Sequence, residues 1–150
     1  MSDHWIILIP KSPDYVPPKA AQKRAVALLR SFAPRADSVE AETSDEIRFI
    51  DCGANFERVV CPACAGEVDV DWWSDWMSKE LESDLPLRAV QLPCCGTVKA
   101  LHQLIYEWPQ GFARFSLEAM NPSIGELPKK KREELEQVLG CPLTVIYRHL

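Results

Sequence analysis

Two short cysteine-bearing turns constrain this chain more than any other feature. Cys61-Pro62-Ala63-Cys64 is followed by Ala65-Gly66, and thirty residues after Cys64 comes Pro93-Cys94-Cys95-Gly96. A Cys-x2-Cys spacing lets two thiolates point at one ion, and the small residue and glycine that follow let the backbone turn its amides toward the sulfurs. The second turn repeats that frame, with Pro93 where Pro62 falls and Cys95 where Cys64 falls. Leu92 occupies the place of the missing partner, and Cys94 stands two residues further on. Four thiolates in two turns, separated by a strand and a helix, suffice to close a tetrahedral site. Cys61, Cys64, Cys94 and Cys95 are therefore the candidate ligands of one structural Zn2+. The displaced Cys94 leaves its position open, and His102 and Cys52 are the alternatives for the fourth ligand.

Residues 61 to 96 resemble a zinc ribbon with a degenerate second knuckle. The resemblance covers about a quarter of the chain. It implies a metal and a local fold, and zinc ribbons serve many functions, so it implies no activity. Cys52 and Cys141 read as small buried or half-buried thiols. A redox reading competes, because Cys-Pro-x-Cys also occurs in glutaredoxin-like folds, after a strand and at a helix N-terminus. Here the motif is followed by Ala65-Gly66 and the alternating run Glu67-Val-Asp-Val-Asp71. A helix that would lower the thiol pKa is not expected directly after Cys61.

The six cysteines belong with reduced thiols rather than a disulfide framework, since Met1-Ser-Asp-His-Trp5 has neither a basic segment nor a cleavage site. A cytoplasmic location is the expectation. No apolar run approaches the roughly 20 residues of a membrane helix; the longest, Trp5 to Pro10, has the length of a strand. Apolar residues make up 47% and charged residues 26%, a globular balance. The net charge is −5, the wrong sign for a chain that gains affinity by releasing counterions from nucleic acid.

The β-branched run Trp5–Pro10 reads as a buried strand. Pro17 and Pro18 open a helix to about Ala33, with Ala21, Ala25, Leu28, Leu29 and Phe32 on one face. Ser38 to Asp51 alternates on either side of Thr43-Ser44-Asp45, as two short strands or one bulged strand. Phe112 to Met120 alternates throughout and has an apolar face. Pro128 starts a second helix, which Gly140 and Pro142 end, and Leu143–Tyr147 is a last strand. Without its middle, the chain runs strand, helix, strand, then strand, helix, strand. That order predicts an α+β fold: a ferredoxin-like split βαβ sandwich, one domain over residues 1–150 with a zinc-ribbon-like module inserted at 52–107.

Within the module, Asp71 is the expected N-cap of a helix from Trp72 to Leu81. Trp72, Trp73 and Trp76 are candidate partner-binding residues, because tryptophan dominates interface hot spots; packing of the module against the main sheet is the plainer reading and the preferred one. Glu67 to Asp84 contains seven acidic residues and one lysine, which favours a basic partner. The stretch Tyr106 to Phe112 reads as an aromatic-rich packed turn. There is no phosphate loop, no Gly-x-Ser-x-Gly elbow and no His-Glu-x-x-His, and the three histidines are scattered. An all-thiolate zinc is usually closed, so the balance leans away from an enzyme. The leading expectation is a zinc-stabilised protein-binding adaptor, in a specific form an immunity-like or inhibitor-like protein. A nucleic-acid-associated zinc ribbon using Lys129–Arg132 and the first helix is the alternative, and a thiol redox enzyme ranks third.

Overall fold

The computed structural model of the chain describes residues 2–82 and 87–150. In chain order the elements are β1 (His4–Pro10), α1 (Lys19–Phe32), β2 (Ser38–Ile50), β3 (Arg58–Val60), β4 (Glu67–Val68), α2 (Val70–Glu82), β5 (Val90–Gln91), β6 (Val98–Lys99), β7 (Ile105–Glu107), β8 (Gly111–Met120), α3 (Lys129–Leu139) and β9 (Leu143–His149). A short 3-10 turn, Leu101–Gln103, precedes β7. The chain is thus α+β, and it divides into two compact units, Met1–Asn55 with Pro109–Leu150 and Phe56–Trp108.

The first unit holds a four-stranded sheet in the order β2-β8-β1-β9, every adjacent pair antiparallel. Each βαβ half contributes one central strand and one edge strand, which interleaves the two halves. Ile6 and Leu8 of β1, Phe115 and Leu117 of β8, Ala25 and Leu29 of α1, and Leu135 and Leu139 of α3 form one buried cluster. Both helices therefore bury their apolar stripes on the same face of the sheet. Ile7 and Ile9, pointing the other way, are also buried. Burial on both faces explains why β1 is a continuous apolar run instead of an alternating one.

Ser38–Ile50 is a single strand carrying a bulge: Thr43 pairs with Phe115 but Arg48 pairs with Ala113. The extra residues are held by the Arg114 side chain, whose Nε donates to the Ser44 carbonyl at 3.0 Å. The helix stop at Gly140 is a left-handed residue (φ 76°) whose amide donates to Glu136 O at 2.8 Å.

The second unit contains a three-stranded antiparallel sheet, β4-β3-β7, and a β5–β6 hairpin. Helix α2 begins earlier than the sequence alone suggests. The Trp72 amide donates to Asp69 Oδ2 at 3.1 Å and the Trp73 amide to Asp69 O at 2.9 Å, so Asp69 is the cap and Asp71 lies in the first turn. Trp73 stacks on Phe56 (centroids 5.5 Å apart) and meets Tyr106 edge-on at 5.9 Å. The Tyr106 hydroxyl donates to Leu101 O at 2.6 Å and accepts from Trp73 Nε1 at 3.3 Å. Tyr106 thus belongs to strand β7 and to the core of this unit. No helix among the described residues is long and apolar enough to cross a membrane.

Candidate metal centre

The two cysteine turns share the same pair of backbone hydrogen bonds. In the first, which joins β3 to β4, the Cys61 amide donates to Gly66 O at 2.9 Å and the Ala65 amide to Cys61 O at 2.9 Å. In the second, which joins β5 to β6, the Leu92 amide donates to Thr97 O at 2.8 Å and the Gly96 amide to Leu92 O at 3.0 Å. Ala65 and Gly96 each take a positive φ, 61° and 78°. The backbone frame therefore matches Cys61 with Leu92, Ala63 with Cys94, Cys64 with Cys95, and Gly66 with Thr97. At Gly66 a Cβ would lie 3.1 Å from Cys64 Sγ, a tight contact to which the sulfur would have to yield.

The four sulfurs of Cys61, Cys64, Cys94 and Cys95 all lie within 4.8 Å of one another. Cys61 Sγ and Cys95 Sγ are 3.8 Å apart, and Cys94 Sγ and Cys95 Sγ 4.0 Å. Four thiolates at Zn–S bonds of 2.3 Å in a tetrahedron stand about 3.8 Å from one another. The cluster is therefore already close to the size a divalent ion such as zinc needs, and none of the six cysteines is in a disulfide. Among the described residues the cluster includes neither Cys52 nor His102.

Backbone amides are directed at three of the four sulfurs. Cys61 Sγ accepts from the amides of Ala63, at 3.4 Å, and Cys64. Cys64 Sγ accepts from the Gly66 amide at 3.3 Å, and Cys95 Sγ from the Thr97 amide. The Cys64 amide, with that of Ala63, draws the Cys61 thiol down to about 7 against the opposing effect of burial. Desolvation of its sulfur among the other thiols pushes Cys94 up to about 12, although the residue itself is exposed. For Cys95 the Thr97 amide acts downward, but burial and the thiols of Cys61 and Cys64 carry the net shift upward. Cys61 ionises readily while Cys94 and Cys95 resist, as expected where like charges share a small space. A divalent cation relieves that conflict.

The remaining thiols are differently placed. Cys52 is fully buried, with Sγ 3.4 Å from Gln110 Oε1, and burial raises it to about 11. Burial and then the nearby Glu136 raise Cys141 to about 11. His102 is exposed in the 3-10 turn.

Of the three tryptophans, Trp73 and Trp76 are buried and Trp72 is half-exposed, its ring 5.4 Å from that of Trp76. Trp72 and Trp76 line a cleft of about 330 Å³ together with Asp75, Lys79, Glu80 and Arg88. Val70 and Leu81 on the same helix are about half exposed, at 48% and 53%. Asp84, the last member of the acidic stretch, lies outside the described residues. The basic run of α3 is engaged within its own unit: Lys129 approaches Glu133 and Arg132 approaches Glu136, each at 4.0 Å, and Lys131 Nζ sits 5.0 Å from the centre of the Phe32 ring.

The sequence frame around the second turn was readable without structure. Asp69, Tyr106 and Phe56 were not: each acts through a contact made only after folding. Comparison of the chain with protein families, with curated proteins and with solved structures finds no match.

Proposed function

We propose that the chain is a non-enzymatic, zinc-stabilised binding protein. One zinc ion is held by Cys61, Cys64, Cys94 and Cys95 in a zinc-ribbon-like module carried by a ferredoxin-like split βαβ unit. The observation that supports this reading is the tetrahedral spacing of the four sulfurs, all within 4.8 Å of one another and reached from two turns of the same backbone form. Four thiolates leave no ligand position for substrate or water, so the role assigned to the metal is structural. The order β2-β8-β1-β9, with both helices on one face, supports the ferredoxin-like reading.

The proposed partner is a basic protein, met by the half-exposed Trp72, the exposed Val70 and Leu81, and the acidic residues of α2. The net charge of −5 favours such a partner and opposes nucleic acid. The internal ion pairs of the α3 lysine run support the same ordering. An inhibitor-like or immunity-like role is one form this would take, in the reducing cytoplasm.

Metal analysis of untagged protein tests the zinc reading. One zinc per chain is expected, lost when Cys61 becomes serine; a protein that folds without metal and takes none up overturns it. The partner reading predicts that a basic protein recovered with wild type is lost with Trp72→Ala and with raised salt, and equal recovery rejects it.

A further inference from the structure

The two turns hydrogen-bond their sulfurs unequally. Amides are directed at Cys61, Cys64 and Cys95. Among the described residues the contacts of Cys94 Sγ are with the other cysteine sulfurs alone. The reason lies in the backbone frame. In the first turn the amides of Ala63 and Cys64 converge on Cys61. The matching position of the second turn is Leu92, which offers no sulfur, while the ligand has moved to the place of Ala63, outside the reach of those donors. Cys94 is also exposed, whereas Cys61 is fully buried.

Amide donors withdraw charge from a thiolate and damp its nucleophilicity, and second-shell bonds of this kind tune how firmly a ligand is held. A zinc-bound thiolate without them keeps more of its charge on sulfur, and reaction with soft electrophiles follows thiolate character and exposure. We propose that Cys94 is the reactive sulfur of the zinc site, a modification site for peroxides and soft carbon electrophiles whose reaction releases the metal. This rests on the zinc reading above.

The chemistry balances within the cluster. Cys94 Sγ attacks one oxygen of hydrogen peroxide; the S–O bond forms, the O–O bond breaks, and hydroxide leaves and takes a proton as water. The Cys64 thiolate, exposed and on the facing turn, then attacks the sulfenic sulfur; the S–S bond forms, the S–O bond breaks, and hydroxide leaves and takes one proton as water. Two thiolates, one peroxide and two protons give one disulfide and two waters. A metal held by the four sulfurs would thereby be deprived of two ligands, Cys64 and Cys94. With iodoacetamide, an S–C bond forms, the C–I bond breaks and iodide leaves.

The test uses the full-length, zinc-loaded protein, with iodoacetamide at one equivalent and hydrogen peroxide as probes. Trypsin separates the peptides 59–79 and 89–99, and fragmentation places the label on Cys94 or Cys95. Labelling at Cys94 is expected to run about tenfold ahead of Cys64 and Cys95, the lower end of what second-shell partners are worth. Peroxide is expected to give a Cys64–Cys94 disulfide, with zinc release followed by a chromogenic chelator. First labelling at Cys64 or Cys95 in zinc-containing protein overturns this proposal alone. A protein that takes up no zinc overturns both readings. Cys94→His, which keeps a zinc ligand and removes the thiolate, is expected to slow peroxide-driven release; release at the wild-type rate from a zinc-loaded variant overturns the proposal.

Discussion

Cys94 stands in the second turn where Ala63 stands in the first, so the same backbone frame presents its sulfur from a different point. That relation makes a prediction about exchangeability. The double variant Leu92→Cys/Cys94→Ala restores the Cys-x2-Cys pattern and is expected to bind one zinc per chain. Leu92 is almost fully buried, and loss of its methyl groups costs about 1 to 3 kcal/mol. Zinc stoichiometry by mass spectrometry is therefore the informative readout, ahead of melting temperature. A double variant that folds without metal would show that the two frames are not equivalent. Tyr106 offers a second test at this scale. Its hydroxyl links Leu101 O and Trp73 Nε1, and Tyr106→Phe is expected to cost about 1 to 2 kcal/mol at neutral pH. Burial raises its pKa above the ordinary value of about 10. A folded-state pKa above the unfolded one means stability that is complete below about pH 10 and lost as pH rises beyond it. Denaturant titrations from pH 8 to 11 should show this alkaline loss in wild type and a smaller one in Tyr106→Phe; equal slopes would remove Tyr106 as the cause.

At the scale of elements, the cap of α2 separates what sequence can and cannot decide. Asp69 and Asp71 both suit an N-cap by residue type. The choice falls to Asp69 because β4 stops at Val68, whose partner in β3 is Val59, so the chain is free to turn one residue later. Asp69→Ala is expected to lower stability by about 1 kcal/mol in denaturant titration, and Asp71→Ala by clearly less; the reverse order would return the cap to Asp71. The other helices were legible because their apolar stripes and proline or glycine stops are local signals. Strand β2 was legible as apolar alternation, but its continuity depends on Arg114 reaching Ser44, a contact across seventy residues. Strand β7 left no such trace. Three residues around Tyr106 pair with β3 far upstream, and nothing in Ile105–Glu107 alone distinguishes a strand from an aromatic turn.

For the whole molecule, the candidate site was legible because each half of it is one short turn, and both turns fall within one compact unit, Phe56–Trp108. The buried cluster beneath α1 and α3 draws every member from the first unit. The second unit spans only residues 56–108, a size at which a hydrophobic core is marginal and a metal commonly supplies the missing stability. Structural zinc in small modules contributes folding free energy directly, since no site exists in the unfolded chain. Chelation should therefore act unevenly. In hydrogen exchange read by mass spectrometry, zinc removal is expected to strip protection from β3, β5, β6 and β7. Peptides covering β1, β8 and β9 should exchange at nearly their former rates. The pattern follows from which core the metal supports, so it is independent of the identity of any partner. Protection lost evenly from both units would mean that they unfold as one cooperative body, with the zinc contributing to all of it. Protection unchanged everywhere, in protein shown to have lost its metal, would mean that the core around Trp73 and Tyr106 holds the second unit by itself.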